Sequence, residues 1–226
     1  RGEDLKNPSM VKIHQYFDTY YVPNNMAIVM AGDINYDSTI AMVDKYFGWW
    51  RSKPVPVFSF TPEDPITKSD TLSVYGPMAA SVNMGWRFGG VKSKDPIMLD
   101  LMSGVLSNGQ AGLIDLDLIQ QQKALSADAG SDEQIDYSEF DMSASPKQGQ
   151  TLEEARGLLL AELDKVKQGK FDDWLIPAVI NNKRQQRIRY WNERNNLRAA
   201  ALTDAFIYTE DWKDVVAAYK EIVARE

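Results

Sequence analysis

The stretch Ser81-Val82-Asn83-Met84-Gly85-Trp86-Arg87-Phe88 decides the fold class, because it alternates strictly between polar and apolar positions. Its even-numbered residues are all apolar, and its odd-numbered residues are polar or glycine. Successive side chains of a β-strand point to opposite faces, so this period of two places one apolar face on a core and one polar face toward water. That division is typical of a strand in an antiparallel sheet with one open face.

Further strands and helices are predicted around this stretch from periodicity, capping residues and breakers. Additional strands are expected at residues 71–75, 124–129 and 137–145. Helices are expected from Asp95-Pro96 to about residue 106, over residues 113–119, behind the capping box Thr151-Leu152-Glu153-Glu154, from about residue 173, and over residues 212–223. This order predicts an α+β fold, with a largely antiparallel sheet covered by helices.

The first fifty residues have a different pattern, which predicts helix, strand and helix. A first helix ends before Pro23, and the apolar run 26–31 has the composition of a strand buried on both faces. A second helix carries an apolar stripe over residues 40–47. Fifty residues are too few to bury such a strand, so we expect this piece to complete a sheet whose other strands lie upstream of residue 1.

Four prolines separate the two patterns and favour an extended linker over residues 51–66. We therefore divide the 226 residues into a piece of one domain at 1–50, the linker at 51–66 and an α+β domain at 67–226. The prolines are Pro54, Pro56, Pro62 and Pro65.

Composition excludes several functions. The net charge of −7 argues against binding of nucleic acid by the whole molecule, and no apolar run approaches the roughly 20 residues of a membrane span. The absence of cysteine excludes disulfides, thiolate zinc sites and cysteine nucleophiles, and leaves the compartment open. The single histidine, His14, leaves metal catalysis and catalytic triads short of ligands and bases.

No catalytic, metal-binding or substrate-binding residue is assigned from these patterns. His14 has no second histidine at metal-ligand spacing and is read as a surface or packing residue. The acidic residues Asp132, Glu133 and Asp136 lack the glycine and terminal glutamate of an EF-hand calcium loop. The basic stretch from Lys183 to Arg198 is read as a solvated helix face or as a contact with another part of the protein, ahead of nucleic acid.

Four short segments, in this order, resemble the end of the catalytic domain in the pitrilysin/insulinase-type zinc metallopeptidases. The elements after the linker are similar in order to the second, inactive domain of that family, so the resemblance covers essentially the whole chain. The segments are Leu5-Lys6-Asn7-Pro8-Ser9, Tyr20-Tyr21-Val22-Pro23-Asn24-Asn25-Met26, Ala31-Gly32-Asp33-Ile34 and Lys45-Tyr46-Phe47-Gly48.

The resemblance implies that residues 1–50 end a catalytic-type domain and that residues 67–226 form the adjoining inactive domain. It implies a clam-shell protease whose homologous domains enclose a chamber and cleave peptides, with zinc held by an inverted H-x-x-E-H motif. That motif is absent here, and we expect it upstream of residue 1. The family's substrate-gripping Arg and Tyr align with Ile119 and Ser126, so neither role is carried over.

Two functional hypotheses follow. In the first, the chain is a scaffold and chamber-wall part of a zinc metalloendopeptidase; alone it holds no cofactor and is inactive, and its partners are the other homologous domains and, in the parent protein, the peptide substrate. In the second, the parent is a non-catalytic homologue that acts as a structural or peptide-binding partner subunit. The resemblance also favours the periplasm, to which bacterial relatives are often exported.

Overall fold

The structure, a computed structural model, describes residues 2–217 and divides them into two compact units. Unit 1 comprises the residues up to Pro65 together with Tyr190–Thr209. Unit 2 comprises Ile66–Arg189 together with the described residues from Glu210 onward. The predicted linker, 51–66, thus ends at the boundary between the units. Residues 190–209, which lie within the predicted domain 67–226, group by their contacts with unit 1.

The helices and strands are α1 (Gly2–Lys6), α2 (Met10–Tyr20), α3 (Tyr36–Phe47), β1 (Val82–Gly89), α4 (Asp95–Leu106), β2 (Ser126–Glu133), β3 (Tyr137–Ser145), α5 (Leu152–Lys167), α6 (Leu175–Asn192) and α7 (Asn195–Ile207). A 3-10 turn, Pro23–Asn25, follows α2, and a π-helical segment, Asp115–Gln120, follows α4. Residues 212–217 are helical, and the rest of the predicted helix 212–223 lies outside the described residues.

In unit 1 both predicted helices form. Helix α2 is capped by the Ser9 side chain and ends at Tyr20, and α3 is capped by the Asn35 side chain and ends at Phe47. The strand predicted at residues 26–31 was wrong, since these residues are in no strand and most are exposed. A strand needs a neighbour to receive its backbone hydrogen bonds, and the described residues of unit 1 contain no strand.

Unit 2 is built on a three-stranded antiparallel sheet in the order β1-β3-β2. The central strand β3 pairs Met142 with Met84 of β1 and with Ala129 of β2. The alternation predicted for residues 81–88 is confirmed, because the apolar residues of β1 pack against the core and Asn83 and Gly85 are exposed. The predicted α+β class and antiparallel sheet are likewise confirmed.

One face of this sheet carries the core of the protein. Phe140, Met142 and Ala144 of β3 are buried beneath apolar residues of helices α4, α5 and α6 and of the π-helical segment. The covering residues include Leu99, Leu106, Leu118, Leu159 and Val179. Helices therefore cover one face of the sheet, as expected from its apolar side chains.

Two further predictions are corrected in unit 2. The strand predicted at residues 71–75 does not form, and Leu72 and Val74 are almost fully exposed. Alternation alone cannot supply a neighbouring strand, and within the described residues β1 pairs only with β3. The helix predicted at 113–119 is α-helical only at Leu113 and Ile114 and continues as the π-helical segment.

No helix within residues 2–217 is both long enough and apolar enough to cross a membrane.

Candidate functional site

The residues weighed as metal ligands are not brought together. His14 is exposed on α2. Among the residues that the structure describes, no group of three or more His, Cys, Asp or Glu side chains could hold a metal ion. Asp132 accepts hydrogen bonds from Gln134 Nε2, and Glu133 accepts one from Ser131 Oγ, so these two carboxylates of β2 bind local donors. Within the described residues, the structure therefore gathers no set of zinc ligands.

The two positions aligned with the family's substrate-gripping pair lie on different elements. Ile119 is in the π-helical segment, and Ser126 opens β2.

The basic stretch makes contacts within unit 2. Lys183 on α6 forms a salt bridge with Asp100 on α4. Burial raises the pKa of the Glu210 carboxyl, and the nearby charge of Arg187 opposes that shift. These pairings favour the reading of this helix as an intramolecular contact over a nucleic-acid interface.

The sheet of unit 2 presents a polar face opposite its core. The strand register aligns its residues in three rows across β1, β3 and β2, and we call these nine residues the open face. The rows are Asn83, Ser143 and Asp128; Gly85, Asp141 and Gly130; and Arg87, Glu139 and Asp132. All nine are exposed or half-buried.

The open face is predominantly acidic, with four carboxyl groups against the single guanidinium of Arg87. The Arg87 guanidinium lies 4.9 Å from the centre of the Tyr137 ring, a cation–π distance. Partial burial, together with the charges of Asp128 and Asp132, raises the pKa of Asp141. A Cβ atom on Gly85 would lie 2.6 Å from Glu139 Oε1, so the missing side chain leaves room for that carboxylate. The surface can accept hydrogen bonds and attract positive charge.

A second group of charges, which we call the ion cluster, joins α5 to the π-helical segment. Lys165 Nζ lies 2.6 Å from Asp117 Oδ2 and 2.8 Å from Glu162 Oε2. The Glu162 side chain is only 4% exposed, whereas Lys165 is 35% exposed. In this cluster a nearly buried carboxylate is thus paired with a cation that still contacts water.

The pKa shifts in the ion cluster show which force dominates at each group. Burial raises the pKa of Glu162, and the hydrogen bond from Lys165 only partly offsets this effect. Burial lowers the pKa of Lys165, but its hydrogen bonds to Asp117 and Glu162 outweigh burial and hold that pKa above its ordinary value. The raised pKa of Glu162 disfavours its charged form, whereas the raised pKa of Lys165 favours its charged form. Glu162 is the more buried of the two residues, so desolvation acts more strongly on it.

Sequence reasoning found neither the open face as a whole nor the ion cluster. The sequence showed the polar residues of β1. Which residues of β2 and β3 lie beside them depends on the strand register. Glu162 and Lys165 lie three residues apart on a helix, a spacing that favours a contact between them. Asp117 lies 48 residues away in sequence, and only the tertiary fold brings it to Lys165.

A shallow depression of about 580 Å³ lies beside the start of α5 and is open to solvent. Gln150 forms one wall, where its Nε2 donates to the Lys123 carbonyl and its Oε1 accepts from the Lys147 amide. Lys123 and Lys147 are exposed there.

Comparisons with known proteins agree with this architecture. A family model described as the peptidase M16 inactive domain matches residues 10–183. The zinc protease PqqE of Helicobacter pylori (strain ATCC 700392 / 26695) is 22% identical over 187 residues, which are 80% of this chain and 42% of that protein.

Two solved structures share the fold. A protease from Helicobacter pylori superposes with a TM-score of 0.84 at 19% identity, over 99% of this chain and 55% of its own. The periplasmic protease PqqL from Escherichia coli superposes with a TM-score of 0.66 at 12% identity, over 96% of this chain and 26% of its own. The chain thus spans about half the length of these relatives, or less.

The predicted membership of the pitrilysin/insulinase-type metallopeptidases is confirmed by the family match. That match covers well over half of the sequence and includes the sheet and the helices α4 and α5 of unit 2. The chain belongs to the peptidase M16 family, as a carrier of its inactive domain.

Proposed function

We propose that this chain is a scaffold and chamber-wall part of a zinc metalloendopeptidase that cleaves peptides. The parent protein, meaning the longer protein of which this chain would be a part, holds the zinc in another domain. The chain itself has one histidine and no cysteine, fewer than the two or three His or Cys ligands of a typical catalytic zinc site. The other homologous domains of the parent are its partners.

One observation supports the wall role, namely that, among the described residues, helices cover only one side of the sheet of unit 2. An antiparallel sheet with a polar second face is stable against water, so the open face needs no cover. Such a surface can line a water-filled chamber and offer hydrogen-bond acceptors to an unfolded peptide without binding one sequence tightly.

The decisive experiment compares the parent with the isolated chain. The parent is expected to contain stoichiometric zinc by elemental analysis and to hydrolyse an unfolded peptide in a chelator-sensitive way. The isolated chain is expected to contain no stoichiometric zinc and to leave the same peptide intact. Zinc-dependent hydrolysis by the isolated chain would overturn the proposal. A parent without zinc or activity would instead support the alternative hypothesis, that of a non-catalytic partner subunit.

A further inference from the structure

One residue of the depression beside α5 is not explained by packing. Gly157 lies inside α5 and lines the depression, and a Cβ atom placed on it would meet no atom within 4 Å. Glycine in a helix interior is destabilising relative to alanine, because it loses more conformational freedom on folding. No contact among the described residues therefore requires a glycine here, although its presence lowers the stability of the helix.

The two lysines of the depression are joined through the side chain of Gln150. Gln150 Nε2 donates to the Lys123 carbonyl at 3.1 Å, and Gln150 Oε1 accepts from the Lys147 amide at 2.9 Å. These hydrogen bonds link the backbones of the two lysines, so both side chains start from fixed points on the wall of the depression. Such a fixed arrangement reduces the ordering that a ligand must impose when it binds.

The two ammonium groups are not used by the fold as ion-pair partners. Both lysine side chains are exposed, and within the described residues neither ammonium forms a hydrogen bond or a salt bridge. Lys123 acts on the buried carboxyl group of Glu162 only through its charge. The single carboxylate in the described lining, Glu154, accepts hydrogen bonds from the Thr151 amide at 2.7 Å and from its hydroxyl at 2.8 Å. The depression therefore presents two cations and one carboxylate that is already bound, in a chain of net charge −7.

The depression lies on the helical side of unit 2. Its floor is formed by α5, where Leu158 packs against the hydrophobic core beneath. The open face is the opposite side of the same sheet. A molecule bound in the depression therefore leaves the open face free, so it does not compete with a peptide on that face.

We propose that the depression binds an acidic peptide segment of a partner protein, with its carboxylates paired to Lys123 and Lys147 and its backbone lying over Gly157. The two cations favour a carboxylate ligand over a cationic or apolar one. The missing Cβ lets a second backbone approach α5 closely. The volume of about 580 Å³ is in the range of sites for ligands larger than a single carboxylate group. Nucleic acid is disfavoured, because its binding depends on neutralising many phosphates.

Fluorescence anisotropy of a labelled hexaglutamate peptide, titrated with the full chain at low ionic strength, tests the proposal. Lys123→Gln and Lys147→Gln should each weaken binding about two- to fivefold, the range for one exposed ion pair. Lys170→Gln, at an exposed lysine outside the depression, is the matched control and should bind like the wild type. Absence of binding, or an equal loss in all three variants, overturns the proposal.

A second pair of variants tests the role of Gly157 without a change of charge. Gly157→Leu should weaken hexaglutamate binding by at least about fivefold, because added methylene groups occupy the space of the ligand. Its free energy of unfolding in urea should be at least that of the wild type, since leucine is the better helix former. Ala161→Leu, at an exposed alanine one turn further along α5 and outside the lining, should leave binding unchanged. Unchanged binding by Gly157→Leu contradicts the proposal.

Competition identifies the class of ligand. Unlabelled hexaglutamate should displace the labelled peptide, whereas free glutamate at the same carboxylate concentration and a short single-stranded DNA should not. Equal displacement by free glutamate would indicate a site for single carboxylates, and equal displacement by the DNA would indicate a phosphate site; either result overturns the proposal. None of these measurements involves zinc or hydrolysis, so their outcome is independent of the proposed function.

Discussion

Two opposing effects act on the carboxyl group of Glu162. Burial penalises its charged form, and the Lys165 ammonium 2.8 Å away stabilises that form. Its raised pKa shows that burial dominates. Such a residue fixes the geometry of the ion cluster while reducing stability at neutral pH, because desolvation of a buried ion pair can exceed its Coulombic attraction.

The pH dependence of stability tests this balance. A carboxyl group whose folded pKa is raised contributes stability that is complete below its unfolded pKa, about 4.3. That contribution is lost as the pH rises through the folded pKa. Glu162→Gln removes the titration, so the free energy of unfolding of the variant relative to the wild type should increase from pH 4 to pH 7. Urea unfolding of both proteins at several pH values measures this difference in free energy.

Glu153→Gln on the same helix is the control for Glu162→Gln. The Glu153 side chain is 76% exposed, so no comparable burial penalty acts on it. A variant of Glu162 whose relative stability stays constant or falls as the pH rises would show that the salt bridge, and not burial, governs this carboxyl group.

Helix α5 shows how one chemical change can have opposite effects at two glycines. Gly169 has a φ of +64° and ends the helix in a Schellman motif, in which its own amide donates to the Val166 carbonyl and the Lys170 amide to that of Lys165. Gly157 lies within the helix, and a Cβ there would meet no atom within 4 Å.

Substitution of alanine at each glycine should separate backbone conformation from packing. Gly169→Ala should lower the free energy of unfolding by about 1 kcal/mol, because an L-residue is strained at this φ. Gly157→Ala should raise it by about 0.5–1 kcal/mol, since glycine is a poor helix former. Urea unfolding of both variants checks the pair, and effects of the same sign would contradict this account.

Elements specified by local rules could be predicted, and those that depend on a partner could not. The capping box of Thr151 and Glu154 forms as predicted, because both of its hydrogen bonds join residues within one turn. The strand in residues 81–88 was found because β3 lies within the same chain. Residues 26–31 and 71–75 have equally suitable patterns and form no strand, since pairing is a tertiary property. The π-helical segment likewise has no distinctive sequence signal.

The chain as a whole combines a unit with its own core and a unit without one. Unit 2 buries Phe140 and Met142 under three helices, and unit 1 exposes the apolar stripes of α2 and α3. A family match that runs from residue 10 to residue 183 crosses the boundary at Pro65. The assignment of residues 1–50 to the end of a catalytic-type domain and of residues 67–226 to the inactive domain stays a prediction.

The wall role predicts that charge on the open face acts on substrates at a distance. Asp128→Lys changes the charge there by two units, which over about 10 Å of water amounts to roughly 0.8 kcal/mol, or about fourfold in kcat/KM. In the parent at low ionic strength, kcat/KM should fall for a basic peptide and rise for an acidic one. Asp164→Lys on α5, whose aspartate is 60% exposed, is the control and should change neither value. High salt should erase the difference by screening. If Asp128→Lys and Asp164→Lys changed kcat/KM equally for the basic and the acidic peptide, the open face would not line the chamber.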